Sequence, residues 1–200
     1  MENDEQSETH AEIMEATYRA LCEHGYASLT MQKISDEFEK SKGLLHYHFD
    51  SKEELLTAFI DYLLSEFEQD IASIEGPPDE KLDEFIKRFV VVSNTDDRKA
   101  LHLALLELRA QSPFNDRFRD HLARSDTIVR DVVAEIIDDG ITQGVFRADA
   151  EPEAVAQLVL ASMDGARTRG LTIGDETYPD AVSDALYEYV IDDILVKTNE

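Results

Sequence analysis

The sequence contains few of the residues that support disulfide-rich, membrane-spanning or irregular structures. Its 200 residues include one cysteine, Cys22, which excludes an intramolecular disulfide and which we expect to be a core or boundary residue. Glycine and proline number only eight and five, and tryptophan is absent. No apolar run approaches the roughly 20 residues of a membrane span, and the polar segment 1–6 is no signal peptide. We therefore expect a cytoplasmic protein with no membrane partner.

Positive charge is also scarce, because 19 Lys and Arg residues face 44 Asp and Glu residues, for a net charge of −25. Two explanations are open: a basic partner, or adaptation to a cytoplasm with very high salt. The acidic residues are spread along the chain instead of forming a tail, which favours the second explanation. We expect a salt-loving source and self-repulsion that destabilises the fold at low salt.

Motifs of enzymes and metal sites are missing as well. The chain has no glycine-rich phosphate loop, no His-Glu-x-x-His and no nucleophile motif in a suitable context. His46 and His48 are two residues apart, so on a helix they point to different faces and are poorly placed to share a metal. We predict no enzyme activity, no metal and no cofactor.

The residues that are abundant predict an all-α protein of eight or nine helices. Apolar residues make up 42% of the chain, helix formers dominate, and no β-type alternation persists. Beyond residue 50, helical patterns cover 51–74, 79–92, 98–111, 115–142, 153–170 and 179–196.

Two short helical patterns lie back to back at the most informative place in the chain. Thr30 can cap a helix with apolar positions Met31, Ile34 and Phe38, and Ser41 can cap a second, shorter helix. Such a pair is the unit that lays its second helix in the major groove of DNA. The run 30–52 also balances four lysines against four acidic residues, as expected of a surface that faces nucleic acid.

A third helix follows directly, because Ser51 and Glu54 fit a capping box. From 10 to 56 the sequence resembles the DNA-binding domain of the TetR/AcrR family of transcriptional regulators. The resemblance rests on the first helix running into Gly25-Tyr26, on Thr30-x-x-x-Ile34, and on the run 43–53, Gly-Leu-Leu-His-Tyr-His-Phe-Asp-Ser-Lys-Glu. The family usually has Tyr at position 46 and a turn like Ala-Gly-Val at 38–40, so Glu39 must tolerate the turn geometry or the turn differs.

The resemblance implies that the second helix, 41–48, contacts DNA together with residues that lie around it. Gly43 lets the backbone approach DNA, lysines can neutralise phosphates, and His46 and Tyr47 can offer hydrogen bonds. The predicted DNA-binding residues are Thr30, Lys33, Ser41, Lys42, Gly43, Leu44, His46, Tyr47, His48 and Lys52.

The stretches 140–156 and 163–165 resemble the C-terminal domain of BetI-type members. This implies a helix-turn-helix domain at 1–55 and an effector-binding and dimerisation domain at 56–200. By analogy, helices 153–170 and 179–196 make the homodimer interface, although their apolar stripes could instead complete the monomer core. A buried Arg or His would suit an anionic or amphipathic small-molecule effector. The candidate effector-binding residues are His102, Leu105, Arg109, Met163 and Arg167, against the alternative of exposed charges or helix-to-helix ion pairs.

These observations predict a sequence-specific DNA-binding regulator. We expect a homodimeric repressor that binds a near-palindromic double-stranded operator and is released when an effector shifts the helix beginning at Ser51. The alternative is a helical dimeric ligand-sensing or protein-interaction module that has lost DNA binding.

Overall fold

A computed structural model describes residues 2–38, 40, 42–90 and 96–196, and they form helices joined by short turns. The helices are α1 (Glu2–Ser28), α2 (Met31–Glu37), α3 (Lys42–His48), α4 (Lys52–Ala72), α5 (Pro78–Val90), α6 (Asp96–Gln111), α7 (Asp116–Thr142), α8 (Pro152–Ile173), α9 (Tyr178–Leu186) and α10 (Asp192–Ile194). One 3₁₀ turn (Ser112–Phe114) and one π turn (Tyr187–Ile191) supplement them. The all-α prediction is confirmed. None of the described helices is both long and apolar enough to span a bilayer.

The chain divides into two compact units that are each discontinuous in sequence. The first unit comprises Met1–Phe67 and Asn94–Ala123, and the second comprises Glu68–Ser93 and Arg124–Glu200. The first unit therefore holds α6 as well as the helix-turn-helix segment. The predicted domain boundary at residue 55 remains a prediction.

The core of the first unit forms between α1, the helix-turn-helix segment, α4 and α6. α1 is interrupted at Gly25, whose φ of 67° lies in the left-handed region that favours glycine. α6 packs along α1. Large side chains that are fully buried in this core include Ile13, Met14, Ile34, Leu45, Leu55, Leu56 and Phe59.

Two of the three helix caps predicted in this unit, Thr30 and Ser51, are present. Thr30 Oγ1 accepts a hydrogen bond of 3.2 Å from the Lys33 N–H, which satisfies one of the free donors at the start of α2. Ser51 Oγ accepts from the Glu54 N–H at 3.1 Å, and the Glu54 carboxylate accepts from the Asp50 N–H at 2.8 Å. The reciprocal bond thus reaches the residue before the cap, which is one position earlier than in the predicted capping box.

The second unit is built around α8, whose buried face packs on α9 and α5. That face consists of Ala156, Val159, Met163 and Ala166. A π turn follows α9, and within it the Tyr187 hydroxyl donates to the Asp83 carboxylate on α5.

The last predicted helix, 179–196, is interrupted and shorter than expected. After the π turn, α10 ends at Ile194, and the chain then pairs with the segment that follows α7. The Arg147 N–H donates to Ile194 O at 2.8 Å, and the Val196 N–H donates to Val145 O at 2.9 Å. These bonds satisfy backbone groups at the end of α10, and Leu195 is extended instead of helical, with φ −65° and ψ 136°.

Candidate nucleic-acid interface

The second helix of the helix-turn-helix segment, α3, has one buried and one exposed face. Leu45 is completely buried, and Phe49, which directly follows α3, is 7% exposed. Gly43, His46 and Tyr47 are exposed, with Tyr47 at 77%. Their spacing of three and four residues places them on the same side of the helix. The core thus fixes α3 through Leu45, and the opposite face of the helix is exposed to solvent.

Two predicted contact residues on α3 are only half-exposed. Leu44 packs against the core, so its side chain is less available than its neighbours. His48 lies beside Phe49, with ring centroids 6.5 Å apart, and His10 of α1 lies 6.0 Å from the same ring. Burial, and then the charge of His48, lower the pKa of His10.

The lysines around α3 bind acceptors within the first unit. Lys33 Nζ donates to Ser28 O at 2.9 Å, near the end of α1. Lys52 Nζ donates to Leu29 O at 3.1 Å and lies 4.6 Å from the centre of the Tyr26 ring. Lys40 Nζ lies 2.5 Å from Glu12 Oε2. The positive charge predicted to gather at this surface is therefore largely engaged by the fold itself.

Some of the predicted residues fall outside the described part of the chain. Ser41 and Glu39 lie there, so the predicted cap of α3 and the turn geometry remain predictions. Lys42 is the first residue of α3, and its side chain also lies outside the description. Thr30 is described and exposed, at the start of α2.

Arg19 is a residue of this surface that the sequence-based prediction missed. Its Nη2 donates to Glu37 O at 2.8 Å, and its Nε donates to Glu37 Oε2 at 3.3 Å. Glu37 is the last residue of α2. Arg19 is the only arginine before Arg88, and this isolation in an acidic segment was a signal available in the sequence.

The predicted effector-binding residues divide between the two units. On α6, His102 Nδ1 lies 2.9 Å from Arg98 O, Leu105 packs against the first core, and Arg109 is exposed. On α8, Met163 is 2% exposed, and Arg167 Nη2 lies 3.9 Å from an Asp164 carboxylate oxygen. Their shared role in effector binding remains a prediction.

The second unit also presents an exposed, mostly small and apolar surface. On α8 this surface consists of Ala154, Leu158, Ala161 and Gly165, and on α9 and the π turn of Ala181, Ala185 and Tyr189. Leu158 is 49% exposed and Tyr189 is 70% exposed. By contrast, Val159, Leu186 and Ile191 are buried. The apolar stripes of helices 153–170 and 179–196 are thus divided. One part fills the monomer core, and the other part is exposed and available for a dimer interface.

Comparisons with known proteins agree with this geometry. A family model described as bacterial regulatory proteins of the tetR family matches residues 13–59. A second model, described as the C-terminal part of a BetI-type transcriptional repressor, matches residues 78–196.

Three similar proteins match along nearly the whole chain. A crystal structure of a TetR transcription regulator from Haloarcula marismortui is 39% identical, with a TM-score of 0.86, over 95% of this chain and 100% of that one. The transcriptional repressor AcnR of Corynebacterium diphtheriae is 26% identical over 94% of both chains. A regulator from Saccharomonospora viridis in complex with choline shares the fold, with 23% identity and a TM-score of 0.78, over 96% of this chain and 100% of that one.

Proposed function

The chain belongs to the TetR family of transcriptional regulators, and from this premise we propose that it is a homodimeric repressor released from its operator by a small molecule. The observation that carries the proposal is the exposed face of α3. Gly43, His46 and Tyr47 lie together on a helix that Leu45 fixes in the core. In a dimer, two such helices would enter successive major grooves about 34 Å apart, which corresponds to a near-palindromic operator.

The dimer is proposed to form through residues 153–170 and 179–196. Support comes from the exposed apolar surface of the second unit, where Leu158 and Tyr189 are large side chains without cover in the protomer. Ala161 and Gly165 would let the partner helix approach closely. Replacing Leu158 by Arg should give a folded monomer in light scattering, whereas Phe114→Arg, at an exposed apolar position outside 153–170 and 179–196, should remain dimeric.

Effector binding is proposed for the domain 56–200, with His102, Leu105, Arg109, Met163 and Arg167 as candidates. A partly buried arginine such as Arg167 would favour an anionic or amphipathic molecule. The regulator from Saccharomonospora viridis is in complex with choline, which supports binding of a small molecule by this fold; choline is a cation and gives no support for an anionic effector. The effector would act through α4, because α4 begins four residues after α3. A preference of only about 1–3 kcal/mol for the released geometry makes a useful switch.

The experiment that tests this function is a selection of bound sequences from a random duplex library, in molar and in submolar KCl. We expect an enriched near-palindrome whose half-sites are separated by one helical turn. Lack of enrichment in either salt, with a folded dimer confirmed by light scattering, would contradict DNA binding. That result would favour a helical sensing or interaction module.

A further inference from the structure

Two cationic side chains, Arg19 of α1 and Lys33 of α2, bind backbone carbonyl groups at helix ends. Carbonyls in the last turn of a helix lack an intrahelical partner and carry the negative end of the helix dipole. A cation placed there both satisfies the carbonyl and fixes the direction in which the chain continues. Three such contacts occur in the first unit: Arg19 binds the last residue of α2, Lys33 binds the last residue of α1, and Lys52 binds Leu29, which directly follows α1.

At the end of α2, Arg19 of α1 binds Glu37 in a forked arrangement. Nη2 donates to the backbone oxygen at 2.8 Å, and Nε donates to the carboxylate at 3.3 Å. Phe38 follows with extended backbone angles, φ −96° and ψ 115°, and is 5% exposed. The chain thus leaves α2 toward α3 from a residue that Arg19 holds. The guanidinium fork can form two bonds at once, which a lysine cannot do in the same geometry.

At the beginning of α2, Lys33 performs the equivalent task. Its ammonium group donates to Ser28 O at 2.9 Å, while its own N–H is capped by Thr30. Lys33 therefore ties the first turn of α2 to the last residue of α1. Arg19 and Lys33 together fasten α2 to α1 at both ends.

We propose that Arg19 and Lys33 are positioning residues that set the orientation of α3, and that they do not neutralise DNA phosphates. This inference rests on the proposed function, because it assumes that α3 reads an operator. Its chemical basis is the engagement of both cations by backbone carbonyls. The protein, whose net charge is −25, would in this way use some of its few cationic side chains to orient α3.

The salt dependence of operator affinity separates positioning from phosphate contact. The slope of log K against log salt is negative, and each lysine that neutralises a phosphate makes it steeper by about one. Removal of such a lysine therefore reduces the magnitude of the slope by about one. We expect Arg19→Met and Lys33→Met each to weaken operator binding by about fivefold to tenfold at every salt concentration, with an unchanged slope. The operator would be the sequence recovered by the selection described above.

Matched variants test the role of each bond. Glu37→Gln removes the carboxylate but keeps the backbone oxygen that Arg19 caps, so it should retain operator affinity within about twofold. Arg19→Lys keeps one donor and should recover part of the loss. Lys42→Gln, at the first residue of α3, is the comparison for a phosphate contact and should reduce the magnitude of the slope by about one.

Hydrogen exchange in the free protein provides a readout that needs no operator. Amides of residues 31–37 and 42–48 should exchange faster in Arg19→Met and Lys33→Met, while amides of α4 and α6 should keep their protection. If the wild type has no operator, the proposed function fails, and this measurement still decides the positioning role.

The proposal is overturned by a reduced salt slope in either methionine variant, by unchanged affinity, or by unchanged exchange in α2 and α3. A loss in Glu37→Gln as large as in Arg19→Met would show that the ion pair, and not the carbonyl cap, is what matters. If Arg19→Met fails to fold, Lys33→Met and Arg19→Lys give the same decision. If the methionine variants had a lower melting temperature but the same ratio of operator affinity to random-DNA affinity as the wild type, the two residues would have a structural role only.

Discussion

Single residues of the first unit separate the roles of support and recognition. On α3, Leu45 and Tyr47 are only two positions apart, yet one is fully buried and the other is 77% exposed. Helical geometry gives this result, because residues two apart point to different faces. The support of α3 is thus independent of the side chains available for bases, so each can be changed separately.

Replacing Tyr47 by Ala should weaken operator binding without destabilising the fold. A good base contact contributes about 1–3 kcal/mol, so we expect a loss of about fivefold to 150-fold, larger than for any single change at Lys33. Because the side chain is exposed, the free energy of unfolding should change by less than about 0.5 kcal/mol. Titration of labelled operator and urea unfolding measure the two quantities. Phe114→Ala, which removes an aromatic side chain that is 87% exposed, is the control, and an equal loss there would indicate nonspecific attraction.

Gly140 allows the chain to fold back closely after α7. A Cβ at this position would lie 2.1 Å from Cδ2 of Phe146, a ring that is 1% exposed, and Gly140 O accepts hydrogen bonds from the Val145 and Phe146 N–H groups. Gly140→Ala should therefore lower the free energy of unfolding by about 1–3 kcal/mol, although alanine normally favours a helix. Urea unfolding would test this. In a Phe146→Leu background the cost should shrink, and an unchanged cost would show that the ring is not the obstacle.

At the scale of elements, helix existence could be predicted well and helix faces less well. Among the described residues the predicted segments are helical, apart from the interruption of 179–196, because caps such as Thr30 and breakers such as Pro77 are local signals. In α7 the structure buries Val133 and leaves Val132 half-buried. Both positions are valine, so the sequence pattern alone could not decide which one faces the neighbouring helices.

The contacts at the candidate site were harder to predict than its helices. Lys33 was expected to approach DNA, but its ammonium binds Ser28 O. A backbone carbonyl at a helix end is an acceptor that no residue type reveals, since every residue has one. The link from Arg19 to Glu37 spans 18 positions and depends on how α1 and α2 pack.

The hydrogen bond between Tyr187 and Asp83 joins the π turn to α5 and should give a pH-dependent stability. Burial raises the pKa of Tyr187 above its ordinary value of about 10, and the hydrogen bond to Asp83 raises it further. Above pH 10 the unfolded chain loses this proton first, so the bond's contribution is complete below that pH and declines as the pH rises further. Tyr187→Phe should therefore lower the free energy of unfolding by about 1–2 kcal/mol at pH 8 and reduce its decline above pH 10.

Urea unfolding at pH 8 and at several values above pH 10 measures both effects. Tyr47→Phe is the control, because this tyrosine is 77% exposed, lies outside the proposed dimer interface and should change neither quantity. Other tyrosines with raised pKa values, including Tyr18 and Tyr62, should preserve part of the decline in both variants. Parallel pH profiles for the wild type and Tyr187→Phe would contradict the role assigned to the bond with Asp83.

At the scale of the whole molecule, the large negative charge of the protein opposes the proposed binding to DNA. A net charge of −25 repels DNA at long range, while the proposed reading helix must approach it closely. Several cations of the first unit are engaged internally, as shown by Lys33, Lys40 and Lys52. Specific binding must then depend mainly on base contacts and DNA shape, which salt weakens less than phosphate contacts. The sequence-based expectation of a salt-rich environment is consistent with this arrangement and remains a prediction.

The same charge predicts how stability depends on salt. Acidic residues outnumber basic ones, 44 to 19, so repulsive pairs outnumber attractive ones and screening should stabilise the fold. The screening length falls from about 10 Å at 0.1 M to about 3 Å at 1 M, so most of the gain should occur below about 1 M KCl. Thermal unfolding at 0.1, 0.5, 1 and 3 M KCl measures the effect, and NaCl and tetramethylammonium chloride serve as controls. Equal gains in all three salts identify screening, whereas a rise that continues to 3 M in KCl alone identifies specific hydration of the acidic surface. A melting temperature that falls with salt would mean that ion pairs such as Lys40–Glu12 outweigh the repulsion, and the expectation of a salt-loving source would then be wrong.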